Sequence, residues 1–463
     1  MYLNMTLYFC AVINKSIKMQ YSKFIILFSI FGLLSCAEQD PIIEYVTVTE
    51  TVIKTETVTV VETVEVNVDP YANSTLEGNI TSDKTLDSSK IWLLKGRVSV
   101  VNGVTLTIPA GTIIKADAGT GADASTLIIA RGGKIDAQGT ADNPIVFTSV
   151  SDNILVDGTY PSTGPSLNVD SRGLWGGLLI LGKAPCSFSG DVTELQIEGI
   201  PTSDTNGLYG GTDPEDNSGI IKYVSIRHGG AEIGEGNEIN GLTLGGVGSG
   251  TTIDHVEVIA NVDDGIEFFG GTVNASHLLV WGQGDDGLDI DQAYAGTIDG
   301  ALVVLTSASD HGFEIDGPEG TAEGSFTLKN ATVYGATFNC NATGVDGEMA
   351  DFRKGATGSL ENILFKGFAS GKDVELDASA DAATYMAGKL TFTNIDIIYP
   401  LSTDGNVCSD VETLDKIFDD KTDPAESSFE SDALTFAEIV TKQQNGNGVD
   451  ESIFSWTFYS KNK

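Results

Sequence analysis

Basic residues are scarce in this 463-residue chain: 26 Lys plus Arg stand against 65 Asp plus Glu, for a net charge of −39. So acidic a surface repels phosphate backbones, which excludes nucleic acid as a partner. It suits a solvated extracellular protein, or one that gathers cations. Cysteine is rare too. Beyond Cys36 only Cys186, Cys340 and Cys408 follow, enough for at most one disulfide and without CxxC or Cys/His spacing for zinc. Proline is sparse at 12 against 54 glycines, a balance that favours many tight turns between short strands. The apolar run Phe24–Leu34 (FIILFSIFGLL) is too short to span a bilayer.

That run has a different use. It follows the weakly basic Met19–Lys23 and ends at Leu33-Leu34-Ser35-Cys36, with the true start read at Met19. The segment, residues 1–36, resembles a bacterial lipoprotein signal, which implies acylation of Cys36 and an outer-membrane anchor. Ala37-Glu38-Gln39-Asp40 resembles the surface-export signal of Bacteroidota lipoproteins, implying a cell-surface orientation. Residues 37–70 form a Thr/Val/Glu-rich stalk, with Glu-Thr-Val recurring at Glu50, Glu56 and Glu62. Nothing apolar stands opposite its Val/Thr set, so an extended spacer is expected, with pairing between copies as the alternative.

Within a β-helix domain of residues 71–400, two phrases alternate between about Ile220 and Pro400. One opens on a small or polar residue: YVSI at Tyr223, HVEV at His255, HLLV at His277, ALVV at Ala301, NATV at Asn330, NILF at Asn362, NIDI at Asn394. The other has an acidic middle: GLTL at Gly241 opens it, then GIEF at Gly265, GLDI at Gly287, GFEI at Gly312, ADF at Ala350 and VEL at Val374. Fixed alternation of short strands at a period of roughly 20 to 30 residues marks a solenoid with one turn per repeat. The fold class is therefore all-β, a right-handed parallel β-helix with N- and C-terminal caps, the acidic segment 401–463 supplying the latter. Loops at 150–174, 185–219, 317–325 and 335–348 interrupt it and are the natural walls of a binding face. Trp175, Trp281, Tyr209, Tyr294 and Tyr334 are candidate sugar-stacking rings or coil packing. His255 and His277 stack in one column, either structurally or as a small ligand patch.

The phrases IPAGTIIKA, ARGGKIDAQGTADNPIVFTS, RGLWGGLLILGKAP, NEINGLTLGGVGSGTTIDHVEV and NVDDGIEFFGGTVNASHL resemble a family of Bacteroidota surface lipoproteins with a pectin-lyase-like β-helix. The resemblance covers nearly all of residues 72–400 and implies the fold, with no settled activity.

Strand alternation sets the acidic residues in columns. Ile266/Phe268, Leu288/Ile290, Phe313/Ile315, Ala350/Phe352 and Val374/Leu376 point inward, so Glu267, Asp289, Glu314, Asp351 and Glu375 form one outward column. Phe269, Asp291, Asp316, Arg353 and Asp377 form a second. Coils stack about 4.8 Å apart, where like charges repel unless solvent, a basic group or a metal offsets them. Three readings follow: a solvated face that keeps a parallel sheet soluble, a ligand- or Ca²⁺-binding face with Asp289, Asp291, Glu314 and Asp316 as hard oxygen ligands, and catalysis. For the last, NVDDG, GDDG, SDHG and FRK are similar in order to the motifs of polygalacturonase-type glycoside hydrolases. That resemblance implies Asp263 or Asp264, Asp285 and Asp286 as acid and base, His311 as orienting group, and Arg353 with Lys354 as carboxylate binders. Asp-Gly and Asp-His-Gly are also turn sequences, Gly for positive φ and Asp for a local cap. The leading expectation is a non-catalytic glycan-binding surface lipoprotein with Ca²⁺ as a structural ion; a polysaccharide hydrolase, lyase or epimerase and a structural or adhesive protein are the alternatives.

Overall fold

The computed structural model describes residues 42–48, 62–68, 71–161, 167–232, 239–336, 347–400, 412–443 and 446–463. They fall in two units, Met1–Ala72 and Asn73–Lys463. Among the described residues no helix is long and apolar enough to cross a membrane. The signal segment with Cys36, along with Cys340, Cys408 and most of the 335–348 loop, lies outside the described residues.

In the first unit, Ile42–Val48 pairs antiparallel with Glu62–Val68, from Ile42 opposite Val68 to Val48 opposite Glu62. The expected extended spacer is replaced here by a hairpin. Strand-forming Val and Thr find backbone partners within the chain there.

The second unit is a parallel solenoid whose coils contribute to three ladders. Among the regular coils, a single bent strand supplies two of these ladders. Thr252–Ile259, for example, pairs through Thr252–Asp254 in the third ladder and through Val256–Ile259 in the first, with His255 at the bend. The second ladder runs through Leu242–Gly245, Ile266–Phe269, Leu288–Asp291, His311–Asp316, Glu348–Arg353 and Val374–Leu376. The bend is left-handed. Tyr223, His255, His277, Asn330, Asn362 and Asn394 sit there at φ of +50° to +58°, values that Asn and His tolerate better than branched residues. The register corrects one position: Ala301 pairs with Leu278, so Gly300 (φ +87°) occupies the bend below His277. Glycine meets that backbone demand without the Cβ strain alanine would carry.

The inward residues fill one continuous apolar core, with Ile266, Phe268, Leu288, Phe313, Ile315, Phe352 and Leu376 all fully buried. Gly241, Gly265, Gly287 and Gly312 face Val258, Val280, Val303 and Val333 across it, where an added Cβ would fall 2.2–2.6 Å from a valine methyl. Their role is close packing. The expected need for positive φ is not met at these four, which are absent from the left-handed residues.

Outside the core, two segments cover the solenoid. The 184–216 insert lays Phe188, Ile197, Ile200 and Tyr209 on Ile128, Leu179, Leu181 and Phe269 of the second ladder. At the far end Phe418, Phe429 and Phe436 close on Phe392, at 5.0–6.4 Å between ring centroids, as the expected cap. Beyond the cap the chain does something not expected: it returns along the first ladder as a strap. Asn447 Nδ2 donates to Asp396 (2.9 Å), the Val449 amide to Thr332 Oγ1 (3.0 Å), and the Phe458 and Tyr459 amides to Glu257 (3.0 and 2.9 Å).

Candidate functional site

The second ladder holds the acidic columns in the register that alternation implied. Thr243, Glu267, Asp289, Glu314, Asp351, Glu375 and Asp419 are successive Cα partners, and Asp316 pairs with Arg353 in the neighbouring column. A third column lies one turn earlier. The amides of Gly241, Gly265 and Gly287 donate to the carbonyls of Asp264, Asp286 and His311, which stacks Asn240, Asp264, Asp286 and His311.

That third column is stitched by its own side chains. Asn240 Oδ1 accepts from the Asp264 amide (3.2 Å), Asp264 Oδ1 from the Asp286 amide (2.9 Å), and Asp286 Oδ1 from the His311 amide (2.8 Å). Asp286 Oδ1 also takes His311 Nδ1 at 2.8 Å, and Asn240 donates to Glu267. Of the catalytic candidates, Asp264 and Asp286 are thus buried links between coils, whereas Asp285 beside them is exposed. Asn240 was missed from sequence although it precedes Gly241 as Asp264 precedes Gly265, so the signal was present.

Cations are placed unevenly along the face. Arg353 holds Asp316 through Nε (2.7 Å) and Nη2 (3.0 Å) and also pairs with Glu314; Lys354 reaches Asp316 at 2.5 Å. Two adjacent cations meet one carboxylate because Lys354 leaves the strand at φ +55°. Lys421, which the repeats could not reveal, clamps Asp373, Glu375 and Asp419 at 2.7–2.9 Å. Among the described residues no Lys or Arg pairs with Glu267, Asp289 or Asp291. The four residues expected to hold Ca²⁺ are therefore not equivalent: Asp316 and Glu314 are taken up by basic side chains, while Asp289 and Asp291 each keep a buried oxygen without a hydrogen-bond partner. Asp351 keeps one as well. An alternative acidic trio, Asp264, Glu267 and Asp289, brings one oxygen of each within 4.8 Å of the others.

Crowding and burial shift these groups. Burial and the neighbouring acids raise Asp264, Glu267 and Asp289 well above the usual carboxylate range. Burial, then the charge of Asp286, lifts Glu314 to about 8 and Asp285 to about 6. Burial, then the charge of Asp316, brings Asp291 to about 6; burial, against the pull of His311, brings Asp351 to about 6. Against the cost of burying a cation, the bond to Asp286 holds the His311 imidazolium up at about 9.

One wall of the face is in place. The turn after Asp316 is braced on the insert by Gly320 N to Ser187 Oγ (3.1 Å) and Thr321 N to Asp191 Oδ1 (2.7 Å), and on the neighbouring coil by Gln292 Nε2 to Glu319 Oε1 (3.1 Å). The ring candidates for sugar stacking do not line it. Trp175, Tyr209 and Tyr294 are buried in coil packing, and Trp281 and Tyr334 pack on the strap through Tyr459 and Glu451. Cys186 is a buried free thiol.

The model of the pectate-lyase-like β-helix domain matches residues 78–458. The chain belongs to that β-helix family. No curated protein matches it. Among solved structures, the enzymatically active domain of bacteriophage CBA120 tailspike protein 2 is similar at 15% identity and a TM-score of 0.23. That alignment covers 75% of this chain and 49% of the tailspike chain, about half its length. The likeness is too distant to carry an argument about this β-helix protein's site.

Proposed function

We propose that the outer face of the second ladder binds a glycan through its carboxylates and does not cleave it. One observation carries this reading. Asp264 and Asp286, two of the carboxylates that the polygalacturonase resemblance implied as acid and base, each give an oxygen to the next coil's amide, while Asp289, Asp291 and Asp351 keep oxygens with no protein donor. Asp289 and Asp291 are half-buried, so the carboxyl edge beyond these enclosed oxygens can meet a sugar hydroxyl, and stacked coils repeat it at a spacing suited to an extended chain. The acidity of the face favours a neutral or amino-bearing glycan over a polyuronate, which it would repel. We further propose that acylation at Cys36 tethers the protein to the outer membrane, facing outward; mass spectrometry of the N-terminal peptide would find diacylglycerol on Cys36 or refute the anchor.

The enzymatic alternative keeps one supporting observation: Asp285, raised to about 6 and exposed, could exchange a proton near neutral pH. A glycan array on the whole protein, followed by a reducing-end assay on each bound glycan, separates the two. Binding without new reducing ends supports the proposal. Turnover abolished by Asp285→Asn would replace it with hydrolysis, and no binding to any neutral or amino-bearing glycan would refute the ligand class.

A further inference from the structure

The third ladder ends before the other two. Its last strand is Leu390–Thr393, stacked on Gly358–Glu361, whereas the second ladder goes on to Phe418–Asp420 and the first to Ala437–Ile439. A further third-ladder strand would fall, in chain order, between those two segments, and helix Phe429–Phe436 stands there instead. The helix meets the strand through its rings, with Phe429 and Phe436 at 5.0 and 5.3 Å from Phe392 between centroids. Beside those rings a groove of about 470 Å³ separates strand from helix, with the exposed Thr391, Thr393 and Asn394 on one side and Ser428, Asp432 and Thr435 on the other.

That strand has main-chain groups to spare. Gly358 is the register partner of Leu390 and its amide donates to Lys389 O (2.9 Å), so Thr391 and Thr393 turn their N–H and C=O to the previous coil, while Leu390 and Phe392 turn theirs away from it. Among the described residues neither Leu390 nor Phe392 has a hydrogen bond on that open side. Both residues are buried and both line the groove, a place where unpaired backbone groups are costly. The asparagine ladder at the bend stops there too. Asn394 Nδ2 donates to Asn362 Oδ1 (3.0 Å) and Asn362 Nδ2 to Asn330 Oδ1 (3.1 Å), but among the described residues Asn394 Oδ1 receives no donor.

We propose that this groove takes an extended, lysine- or arginine-bearing segment of a partner protein as an added parallel strand, which continues the third ladder by one rung. The main-chain groups of an open edge are answered by another extended backbone, as when a peptide joins an exposed sheet edge. The preferred charge comes from the cap: residues 412–443 hold nine Asp plus Glu against three Lys, and Asp432 lies in the groove itself. A second copy of this chain, at a net charge of −39, is the poorer match. Residues opposite Leu390 and Phe392 must be small, because Phe429 and Phe436 already fill the space beside Phe392. The residue opposite Asn394 is best an asparagine, whose amide donates to the bare Oδ1. The groove lies on a different ladder from the proposed glycan face and does not depend on it.

The test uses the full-length protein and a dye-labelled probe peptide, KATATNK, whose alanines stand opposite Leu390 and Phe392 and whose threonines stand opposite Thr391 and Thr393 in parallel register. Its first threonine then bonds Leu390 O and Phe392 N, while its alanine amides point away from the edge. Fluorescence anisotropy should show binding that weakens about tenfold when the first threonine's nitrogen is methylated, the loss of one hydrogen bond, and that is unchanged when the second alanine's is. Glutamates in place of the two lysines should weaken it as well. Thr435→Trp, at an exposed position, fills the groove and should weaken binding by about tenfold or more. Asp289→Asn, on the acidic face, should leave it unchanged. Equal binding of the two methylated peptides overturns the proposal regardless of how any variant folds, and so does no binding of the unmodified probe. A dimer of the protein that the probe displaces and Thr435→Trp abolishes would overturn the partner and put a second copy in the groove.

Discussion

Over the same coils, the first and second ladders present outward columns of the same geometry and opposite fate. On the first, Ser225, Glu257, Leu279, Leu302, Thr332, Leu364 and Asp396 lie in register under the C-terminal strap. Every polar member is answered: Glu257 by Ser225 Oγ (2.6 Å) and two strap amides, Thr332 by Val449, Asp396 by Asn447. On the second, Asn240 answers Glu267 and Arg353 answers Glu314, but Asp289 and Asp351 keep orphan oxygens. A buried carboxylate left without a donor is costly, so a chain keeps one where something from outside supplies the donor. The first ladder is closed by its own chain. The second, on the proposed function, is closed by a ligand.

The sharpest way to break that contrast is Glu257→Ala. It strands two strap amides and the Ser225 hydroxyl, for an expected loss of about 3 kcal/mol. Denaturant unfolding would measure it, and hydrogen exchange should quicken in 449–463 before the coils. Next comes Arg353→Gln, which frees Glu314 and Asp316 to repel each other; about 2 kcal/mol of destabilisation is expected at this half-exposed site, recovered in part by Asp316→Asn in the same chain.

The pH response should be smaller and should come mainly from the second ladder, opposed by His228, whose burial holds its imidazole down at about 4. Carboxyls whose folded pKa exceeds the unfolded value contribute stability that is complete below the unfolded value, near pH 4, and is lost as pH rises through the folded values. Those lie at about 6 for Asp285, Asp291 and Asp351, about 7 for Glu375 and about 8 for Glu314. Melting temperature should therefore fall from pH 5 to pH 8, and a bound ligand should restore it at the upper end. Smallest of all, Asp289→Asn should stabilise the free protein by up to about 1 kcal/mol at pH 8 by removing one repelling charge. A clear destabilisation would mean that Asp289 already has a partner like those of the first ladder.

Much of this was legible in the sequence. Alternation placed Ile266, Leu288 and Phe313 inside and Glu267, Asp289 and Glu314 outside, because a two-residue period in a parallel stack leaves no other register. The shift from Ala301 to Gly300 escaped notice since ALVV matches its neighbours by composition, and only the left-handed bend distinguishes a glycine from an alanine there. Asp264 and Asp286 looked like free acids because a cap across coils joins residues 22 to 25 positions apart, a distance at which no local motif signals a bond. The strap was hidden for the same reason: Phe458 and Glu257 meet across 201 residues of sequence.

The central claim, that the second ladder's acidic face is the ligand face, is tested most directly by carbodiimide footprinting of carboxyls with and without a bound oligosaccharide, read by mass spectrometry. Protection should concentrate at Asp285, Glu314 and Asp351, while the third-ladder carboxyls Asp136 and Glu361 label equally in both states. Protection of Asp136 and Glu361 with none at Asp285 and Asp351 would contradict the account.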